Sequence, residues 1–540
     1  MEVFLQIYLI QARVWHSPPY CLFLWFNMKK YFQNSLPFRL SILALLTMVF
    51  THGVAQDKLE MINTDVLELG KVNGQSVHRL IGHVVFKQQG MIIHCDSAIK
   101  PIKKGEPIYA YGHVKMNQGD TTTLTSQTMT YDPNTKVAIF RTNVVFKDKK
   151  STLTTEVLEY NTATKNATYK TFAKIIDQKS VLTSEYGTYN SQTKMFYFRK
   201  KVKAVGPQGT LITDTLDYNT NTKTAIFRGP SELVKIDGVV HADYGEYKTD
   251  ESVSTVKGRA KVESGNYIIS GDNMYNDEVN KRTIIKNNVT ILSVKDQIII
   301  EGDEVHYFGK KGYSKVFGNP VMKSFAEPDT LFIIADTLIS IDNNIEAEKR
   351  LYAFHHSKIF RNDIQGKCDS LVYNFGDSTI HFFHDPVLWS EGNQILADSI
   401  HIQMANKTID KLHMNTNSFI ISTDSLKNFN QVKGRRMIAH FEKSTIQKVN
   451  VYGNGESIYF ALEEDTAVIG MNKVVCSDMV INFDSSKVST ITFLTSPEGL
   501  FIPPHEIQEP ERRLKGFKWR ITERPLMAEV KRRRQTIKKS

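Results

Sequence analysis

The chain has 540 residues, of which 41% are hydrophobic and 23% are charged, a composition typical of ordered protein and not of a disordered chain. Its formal net charge of +11 comes from the two ends, because residues 1–55 carry +3 and residues 511–540 carry +9, which leaves −1 for residues 56–510. The central body is therefore neutral, and we expect no nucleic-acid partner. The basic C-terminal end is interpreted first as a solvated tail and second as a contact for phosphates or a membrane.

Residues 28–55 have the three-part layout of a secretory signal. Met28-Lys29-Lys30 supplies positive charge, Ser41–Phe50 is apolar, and Gly53-Val54-Ala55 supplies small residues for cleavage after Ala55. An apolar run of about ten residues is too short to span a bilayer comfortably. We therefore expect the protein to be exported, with a further association with the outer membrane left open. Residues 1–27 have no role in this layout, so translation is expected to begin at Met28.

In the body, a small residue followed by an acidic or closely similar one recurs twelve times. The acid positions are 29 to 33 residues apart, except for one gap of 80 residues before the last. A period of roughly 20 to 50 residues indicates a solenoid or another repeat architecture rather than several compact domains. The pairs are Cys95-Asp96, Ser126-Gln127, Thr155-Glu156, Ser184-Glu185, Thr213-Asp214, Ala242-Asp243, Gly271-Asp272, Gly302-Asp303, Ala335-Asp336, Cys368-Asp369, Ala397-Asp398 and Ser477-Asp478.

Each repeat alternates apolar and polar residues around its acid. An apolar residue stands three places before the acid in every repeat but one, and another apolar residue and a tyrosine commonly follow two and four places after it, as Leu158 and Tyr160 do. A period of two predicts β-strands, and the change of parity at the acid predicts a bulge or a bent corner. Asn-rich and Asp-rich turns follow many of the tyrosines. No amphipathic helical segment is found between Gln56 and Ser496, so the body is predicted to be all-β.

The repeat alone leaves two architectures open. A closed β-helix would fill its centre with the stacked apolar ladder. A folded-over sheet with a gap along one side would leave part of that ladder free for an elongated apolar ligand. Each period adds either one strand layer or two.

The acidic column is a candidate for metal binding or catalysis, but stacked carboxylates about 5 or 10 Å apart would repel one another. We interpret the acids as structural corner residues bonded to backbone or to the lysine of the following turn. No nucleophile elbow, phosphate-binding loop or metalloprotease helix motif occurs in the sequence. The sequence therefore predicts no enzyme, cofactor or metal.

Three other residue sets have a structural interpretation that we prefer to a functional one. The tyrosines could line a binding surface, but aromatic residues at a fixed repeat position more often stack on one another. The histidine clusters are interpreted as surface or strand residues, and the cysteines as small core residues, because neither set has metal-ligand spacing. The sets are Tyr131, Tyr160, Tyr189, Tyr218, Tyr247, Tyr307 and Tyr373; His355-His356 with His381 and His384; and Cys95, Cys368 and Cys476.

Several short motifs resemble the OstA/LptA family of exported lipopolysaccharide-transport proteins. They are Gly82-His-Val-Val-Phe86, the stretch 153–160, Gly318-Asn-Pro-Val321 and the stretch 395–400, and residues 432–441 with 449–460 resemble a Gly-Asn-Gly strand pair of the same family. The resemblance covers roughly residues 56–500. It implies an elongated, folded-over β-jelly roll, or β-taco, built from units of about 29 residues.

The resemblance also implies a function. The apolar interior would cradle the acyl chains of lipid A while the sugars of lipopolysaccharide stay in water. Open edge strands would pair with other lipopolysaccharide-transport components, or head-to-tail with further copies, so that lipid passes along a continuous groove. No counterpart of the family's outer-membrane barrel follows Pro503-Pro504, so a long periplasmic bridge is expected. A structural or surface-exposed β-solenoid scaffold, such as an adhesin, is the alternative, and a β-helical carbohydrate-active enzyme is a weaker third.

The expected organisation is regular repeats at 56–325, less regular repeats at 326–500 and a basic tail at 501–540. The apolar positions beside the acid are predicted to line the lipid groove. Eight of them stand three places before the acid, and four stand two places after it. They are Leu124, Leu153, Leu182, Leu211, Val240, Ile269, Ile300 and Ile333, and Met129, Leu158, Leu216 and Val305.

Overall fold

The computed structural model describes residues 58–531 except 89, 149–150, 178, 208, 327–328, 342–344, 407, 444 and 485–486. The predicted signal segment at 28–55 and the upstream residues 1–27 lie outside this range. Within the described range the chain forms 36 strands, four 3₁₀ turns and one short helix.

The strands are β1 (Glu60–Asn63), β2 (Val66–Val72), β3 (Gln75–Gln88), β4 (Met91–Pro101), β5 (Ile108–Gln118), β6 (Thr122–Asp132), β7 (Val137–Asp148), β8 (Ser151–Asn161), β9 (Asn166–Tyr169), β10 (Ala173–Asp177), β11 (Ser180–Ser184), β12 (Tyr186–Asn190), β13 (Met195–Gly206), β14 (Gly209–Asn219), β15 (Thr224–Lys235), β16 (Gly238–Lys248), β17 (Val253–Ser264), β18 (Tyr267–Asp277), β19 (Arg282–Ser293), β20 (Ile298–Phe308), β21 (Tyr313–Phe317), β22 (Val321–Ala326), β23 (Asp329–Ile334), β24 (Thr337–Ile341), β25 (Arg350–Arg361), β26 (Ile364–Asn374), β27 (Thr379–Phe383), β28 (Val387–Ser390), β29 (Asn393–Leu396), β30 (Ser399–Ala405), β31 (Thr408–Thr423), β32 (Phe429–Glu442), β33 (Thr445–Glu463), β34 (Ala467–Asp484), β35 (Lys487–Leu494) and β36 (Glu498–Ile502). The 3₁₀ turns are Glu346–Glu348, Pro504–Glu506, Glu509–Arg512 and Ile521–Glu523, and the helix is α1 (Met527–Lys531).

The strands form one continuous antiparallel sheet in which most strands pair with the next strand in the chain. β13 pairs with β14, for example, and β14 pairs with β15. In several places two short strands replace a long one, as β11 and β12 do beside β13. This antiparallel order excludes a parallel β-helix. Each period contributes one strand with an acid and one without, so it adds two layers.

Long strands bend at the acid column. In β13 the register skips Lys200 and Lys201, which lie opposite the single residue Asp214 of β14. Lys200 and Lys201 have φ of 63° and 49°, a left-handed backbone that residues other than glycine rarely adopt. Such left-handed pairs recur along the column, and Gly258 holds the first place of one of them. The predicted change of parity is confirmed, and this bulge is its cause.

The aligned bends fold the sheet into two arms that face each other. We call the part of each acid-bearing strand before the acid, with the strands paired to it, the first arm, and the part after the acid the second arm. In β8, Leu153 and Thr155 point inward from the first arm and Leu158 and Tyr160 from the second, and all four are buried. Glu156, between them, is exposed on the outside of the corner. The predicted all-β, folded-over architecture is confirmed.

A C-terminal strap, residues 503–531, crosses the outer face of the first arm. Gln394 and Gln431, both fully buried, each donate a hydrogen bond to one strap carbonyl and accept one from a strap N–H, at 2.6 to 2.8 Å. Leu514 and Val530 of the strap are buried against the sheet. The interpretation of this end as a solvated tail is therefore wrong for residues 511–531, because apolar side chains alternate there with the basic ones.

The sheet has two free ends among the described strands. β1 and β2 pair with β3, and β35 and β36 pair with β34. Large apolar side chains are exposed at both ends, including Leu69 (74%) and Phe501 (54%). Strand pairing continues without a break through the predicted boundary at 325/326, because β22 pairs with β23 across it.

Candidate functional site: an internal cavity between the arms

The space between the arms is filled in one part of the sheet and open in another. We call residues 75–205 the closed segment and residues 206–404 the cavity segment. The cavity segment encloses a volume of about 1310 Å³, which begins at Gly206 and ends near Met404. Its walls are largely aliphatic.

Aromatic side chains fill the interior of the closed segment. Phe146 lies edge-on to Tyr189 with ring centroids 5.7 Å apart, and Phe196 stacks on Tyr189 at 4.1 Å and on Phe198 at 5.3 Å. All four residues are 1–2% exposed. Offset and edge-to-face aromatic pairs of this kind pack densely. The closed segment therefore has a solid core.

Smaller side chains at equivalent positions open the cavity. On the first arm, Phe86 and Phe146 pair with the residue three places before the acid, and in the cavity segment Val262 and Ile291 make this pairing. On the second arm, the position of Phe140 and Phe198 is taken by Val256 and Ile285. On each arm, a branched aliphatic side chain is smaller than the phenyl ring at the equivalent position, so both walls fill less of the space between the arms. The four aliphatic side chains line the cavity.

Polar contacts close the seam where the free edges of the two arms meet in the closed segment. The hydroxyl of Tyr131 donates a hydrogen bond to Gln88 at 2.7 Å. Two repeats later, the buried carboxylate of Asp148 accepts a hydrogen bond from Tyr189 and pairs with the Lys194 ammonium at 2.6 Å. Burial, together with the hydrogen bond to Asp148, raises the pKa of Tyr189, so its hydroxyl remains a donor.

The seam contacts follow the repeat and are interrupted where the cavity starts. Asp177 lies 29 residues after Asp148, and its carboxylate approaches the ammonium of Lys223 to 3.9 Å. Another 29 residues on, the seam position is held by Gly206, which has no side chain to cross the gap. Gly206 is also the first residue that lines the cavity.

Two ion pairs cross the mouth of the cavity itself. Lys235 of the first arm pairs with Glu278 of the second, and Asp296 of the first arm pairs with Lys349 of the second at 3.6 Å. The side chains of all four are between 15% and 23% exposed. Lys281 also lies at this rim. The cavity thus combines an apolar interior with a charged rim, an arrangement suited to an amphiphile.

Two family models match the chain over these segments. The model described as OstA-like protein matches residues 56–211 and 205–272. The model described as LptA/(LptD N-terminal domain) LPS transport protein matches residues 268–408. The chain belongs to the OstA/LptA-like family of lipopolysaccharide-transport proteins. The predicted membership is confirmed, and the matched families are transport proteins rather than enzymes.

Other comparisons add little to the family assignment. Among curated proteins none matches this OstA/LptA-like chain. Among solved structures, a crystal structure of LptH, the LptA-homologous periplasmic component of the lipopolysaccharide transport device from Pseudomonas aeruginosa, is 12% identical. The match covers 27% of this chain and 80% of that one with a TM-score of 0.15, too low to support an argument. Within residues 58–531, no helix has the length and apolar character needed to cross a membrane.

Five of the twelve groove residues predicted for this OstA/LptA-like chain line the cavity. They are Leu211, Val240, Ile269, Ile300 and Val305.

The other seven also face inward, but they do not line the cavity. Leu124, Met129, Leu153 and Leu158 are 0–2% exposed and pack in the core of the closed segment. Leu182 packs half-buried against the core, and Leu216 and Ile333 are buried.

The rim residues were missed by the sequence analysis. Lys235 ends β15 and Glu278 lies in the turn after β18, whereas the analysis concentrated on the positions beside the acid. A signal was available, because Asp148, Asp177, Gly206 and Lys235 stand at a strict 29-residue spacing. In this row Asp148, Asp177 and Lys235 make contacts across the seam, whereas Gly206 has no side chain to do so.

The tyrosine column divides between the core and the cavity wall. Tyr131, Tyr160 and Tyr189 are packed in the closed segment, which confirms the structural interpretation for them. Tyr247, Tyr307 and Tyr373 line the cavity instead. The neighbouring side chains thus decide whether the same repeat position is core or wall.

The acids are corner residues, as predicted, but their side-chain partners differ from the expected turn lysines. The Asp96 carboxylate bonds to His113 of the next strand at 2.7 Å, and the Asp243 carboxylate accepts two hydrogen bonds from Arg259 at 2.8 and 2.9 Å. The bond to Arg259 lowers the pKa of Asp243. Within the described residues, no group of three or more His, Cys, Asp or Glu side chains could hold a metal ion.

The named histidines and cysteines have structural positions. His356 bonds to Asp336 at the corner at 2.8 Å, and His355 approaches Asp369 to 3.3 Å. His381 stacks on His401 of the neighbouring strand, with centroids 5.1 Å apart. The three predicted core cysteines, Cys95, Cys368 and Cys476, are buried and unbridged, as expected.

Proposed function

We propose that the protein is a periplasmic bridge that holds lipopolysaccharide with its lipid A acyl chains in the cavity and relays it towards the outer membrane. The cavity is the observation that supports this proposal. Its volume of about 1310 Å³ exceeds the roughly 300–1,000 Å³ of most small-molecule pockets. Several long acyl chains, rather than one compact ligand, fit an elongated aliphatic space of this size.

The rim supports an amphiphile as the ligand. The acyl chains would contact Val240, Ile269 and Ile291, while phosphates and sugars would remain at the mouth beside Lys235 and Lys281. Burying a charged headgroup among the aliphatic walls would be strongly unfavourable. The ligand would therefore enter through the seam with its chains first, after the two rim ion pairs separate.

The two ends of the sheet support the relay. Strands β2 and β36 each have an edge that no described strand pairs with, and they expose apolar side chains, which other proteins commonly avoid or cover. Addition of a strand from another transport component, or from a second copy of this chain, would satisfy both edges. In this proposal the acyl chains lie in the cavity segment, because the core of the closed segment leaves no room for them.

Photocrosslinking tests the proposal at single residues. A photoreactive side chain at Ile269 should capture lipopolysaccharide in cells, since Ile269 lines the cavity. The matched control is its neighbour Ser270, which points to the outer face of the same strand. A second control is Leu153, buried in the closed segment. Equal capture from Ser270, or none from Ile269 in folded protein, would contradict lipid binding in the cavity.

A scaffold without lipid transport is the second candidate function. The solid aromatic core of the closed segment favours it, because such a core is what a purely structural solenoid requires. Depletion of the protein distinguishes the two. Loss of lipopolysaccharide from the outer membrane supports the bridge, whereas unchanged export supports the scaffold.

A further inference from the structure

A continuous row of side chains runs along the outer face of the first arm. We call it the outer row. It begins at Ile176 in β10 and ends at Ile458 in β33, and each member is the direct cross-strand partner of the next. Such neighbours lie about 5 Å apart, so the row forms one surface.

The C-terminal strap covers one half of the outer row, from Phe332 to Ile458. Val530 of the strap packs against Phe332, and Leu514 packs in a cluster with Ile421 and Ile458. These apolar residues form clusters separate from the main core between the arms. The covered half thus shows which kind of segment this surface binds.

Carboxylates of the strap pair with a row of lysines beside the outer row. Glu529 lies 2.7 Å from the ammonium of Lys358, and Glu523 lies 2.6 Å from that of Lys367. Lys358 and Lys367 are cross-strand partners of each other, two places from the outer row along their strands. The part of the strap at 521–530, which combines apolar side chains with these two carboxylates, therefore shows one kind of extended segment that fits this face.

The other half of the outer row, from Ile176 to Ile299, has no cover among the described residues. Ile176, Val205 and Val234 are 40–42% exposed. Lys174 and Lys203 occupy the same neighbouring row as Lys358 and Lys367, and both are exposed. From Ile176 to Val239 the uncovered half repeats the largely apolar row, with Lys174 and Lys203 beside it, whereas Glu232 and Glu263 lie towards its other end. Nothing in the described range lies on this half.

We propose that the uncovered half of the outer row binds an extended segment of a partner protein in which apolar side chains alternate with carboxylates. Two observations support this occupant: the pairing of the outer row continues, through Glu263 and Lys323, to the half that the strap covers, and Lys174 and Lys203 complement acidic side chains. Residues 532–540 of the chain itself are a poor match, because they contain five basic residues and no acid. The surface is outside the sheet, so this proposal does not depend on the cavity.

A labelled peptide with the sequence of residues 521–530, which contains both strap carboxylates and a single arginine, tests the proposal against the full chain. We expect saturable binding, measured by fluorescence anisotropy. Replacing Val205 and Val234 together by Asn should weaken it at least about tenfold, since the centre of the apolar surface is lost. The matched control is Tyr275→Asn, a similarly exposed residue on the outer face of the second arm, which should bind as the parent does. Lys174→Ala with Lys203→Ala should weaken binding about threefold and reduce its salt dependence.

Three results would overturn the proposal. One is no binding of the peptide to the folded parent chain. Another is binding that the Val205→Asn and Val234→Asn pair leaves unchanged, which would mean that the peptide replaces the resident strap. The third is a dimer, seen by sedimentation, that this pair dissociates while the peptide does not bind, which would make the row an interface between copies.

Discussion

The closed segment and the cavity segment contain the same repeat, with the same corner acid and the same inward aliphatic slots. They differ at positions outside that signature. Phe146 and Phe198 fill the closed segment, whereas Val262 and Val256 at equivalent positions leave a space. The row of seam contacts that includes Asp148 with Lys194 is also interrupted at Gly206, where the space begins. The repeat therefore builds the folded sheet, and the residues that vary between repeats decide which part can hold a ligand.

The largest effect should come from the aromatic core. Phe198→Ala should cost about 3–5 kcal/mol in the free energy of unfolding, because Phe198 is 1% exposed and a cavity would remain. Val262→Ala, on the cavity wall, should cost about 1 kcal/mol or less, since its side chain already adjoins space. Denaturant unfolding followed by circular dichroism measures both. Similar losses would show that the two interiors are equally packed.

The seam contacts should come next. Asp148→Ala should cost about 2–4 kcal/mol, because it leaves the buried Tyr189 hydroxyl and the Lys194 ammonium without their acceptor. Lys235→Ala at the cavity mouth should cost about 1 kcal/mol. Adding Lys194→Ala to Asp148→Ala should recover part of the loss in a double-mutant cycle. A greater loss of free energy of unfolding for Lys235→Ala than for Asp148→Ala would show that the ion pair at the cavity mouth stabilises the fold more than the closed seam does.

Extending the seam should shorten the cavity. Gly206→Asp with Ser252→Lys places the acid and the lysine 46 residues apart, as in the Asp148 and Lys194 pair. A Cβ atom added at Gly206 would lie 3.2 Å from the Ser180 hydroxyl oxygen, so a small shift of the Ser180 side chain accommodates the aspartate. We expect several-fold lower capture of lipopolysaccharide by a photoreactive group at Leu211. Gly206→Ala with Ser252→Ala is the control and should not reduce capture.

Acid should affect the two segments differently, with the smallest effect of the four. Burial, followed by repulsion from His413 at a ring distance of 4.3 Å, lowers the pKa of His401 to about 4 from its usual 6.5. At His401 the folded state then binds fewer protons than the unfolded state. The contribution of His401 to the free energy of unfolding is therefore constant above about pH 6.5 and falls as the pH decreases towards 4. After allowance for partial exposure, the loss should be about 1 kcal/mol.

The variant His401→Gln should lose less stability between pH 7.5 and pH 4.5 than the parent chain does, as measured by denaturant unfolding. The exposed His83 of the closed segment gives a contrast of opposite sign. Its bond to Asp65 raises the pKa of His83, so any contribution is present at low pH and disappears as the pH rises. If His401→Gln follows the parent at both pH values, the stacked histidines do not cause the acid sensitivity.

Much of the fold was predictable because the repeat is local. Alternation around Leu153 and Leu158 identified the strands and both inward faces, and the parity change at Glu156 identified the corner. The side chains that bond to the corner acids were harder to predict from the sequence. His113, for example, stands 17 residues from Asp96 and is brought to it only by strand pairing. The strap was misread because residues 511–531 were judged by their charge and not by Leu514, Phe517 and Val530.

The groove could be predicted only in part, for a physical reason. The position of a residue in the repeat shows whether its side chain faces inward, and this prediction was correct for Leu124 as well as for Ile269. Whether space adjoins it depends on side chains from the opposite arm, which come from distant positions in the chain. Leu124 faces a filled core and Ile269 faces the cavity.

The sequence by itself determined the repeat, the all-β architecture, the corner column and the family, because each depends on residues within one 29-residue unit or on several units in register. Tertiary structure decided where the interior is open, which polar residues close the seam and where the strap lies. These features depend on the sum of side-chain volumes and charges across two facing arms. Gly206 illustrates the difference. Its lack of a side chain matters because Asp148 and Asp177, at the same position of the two preceding repeats, make contacts across the seam.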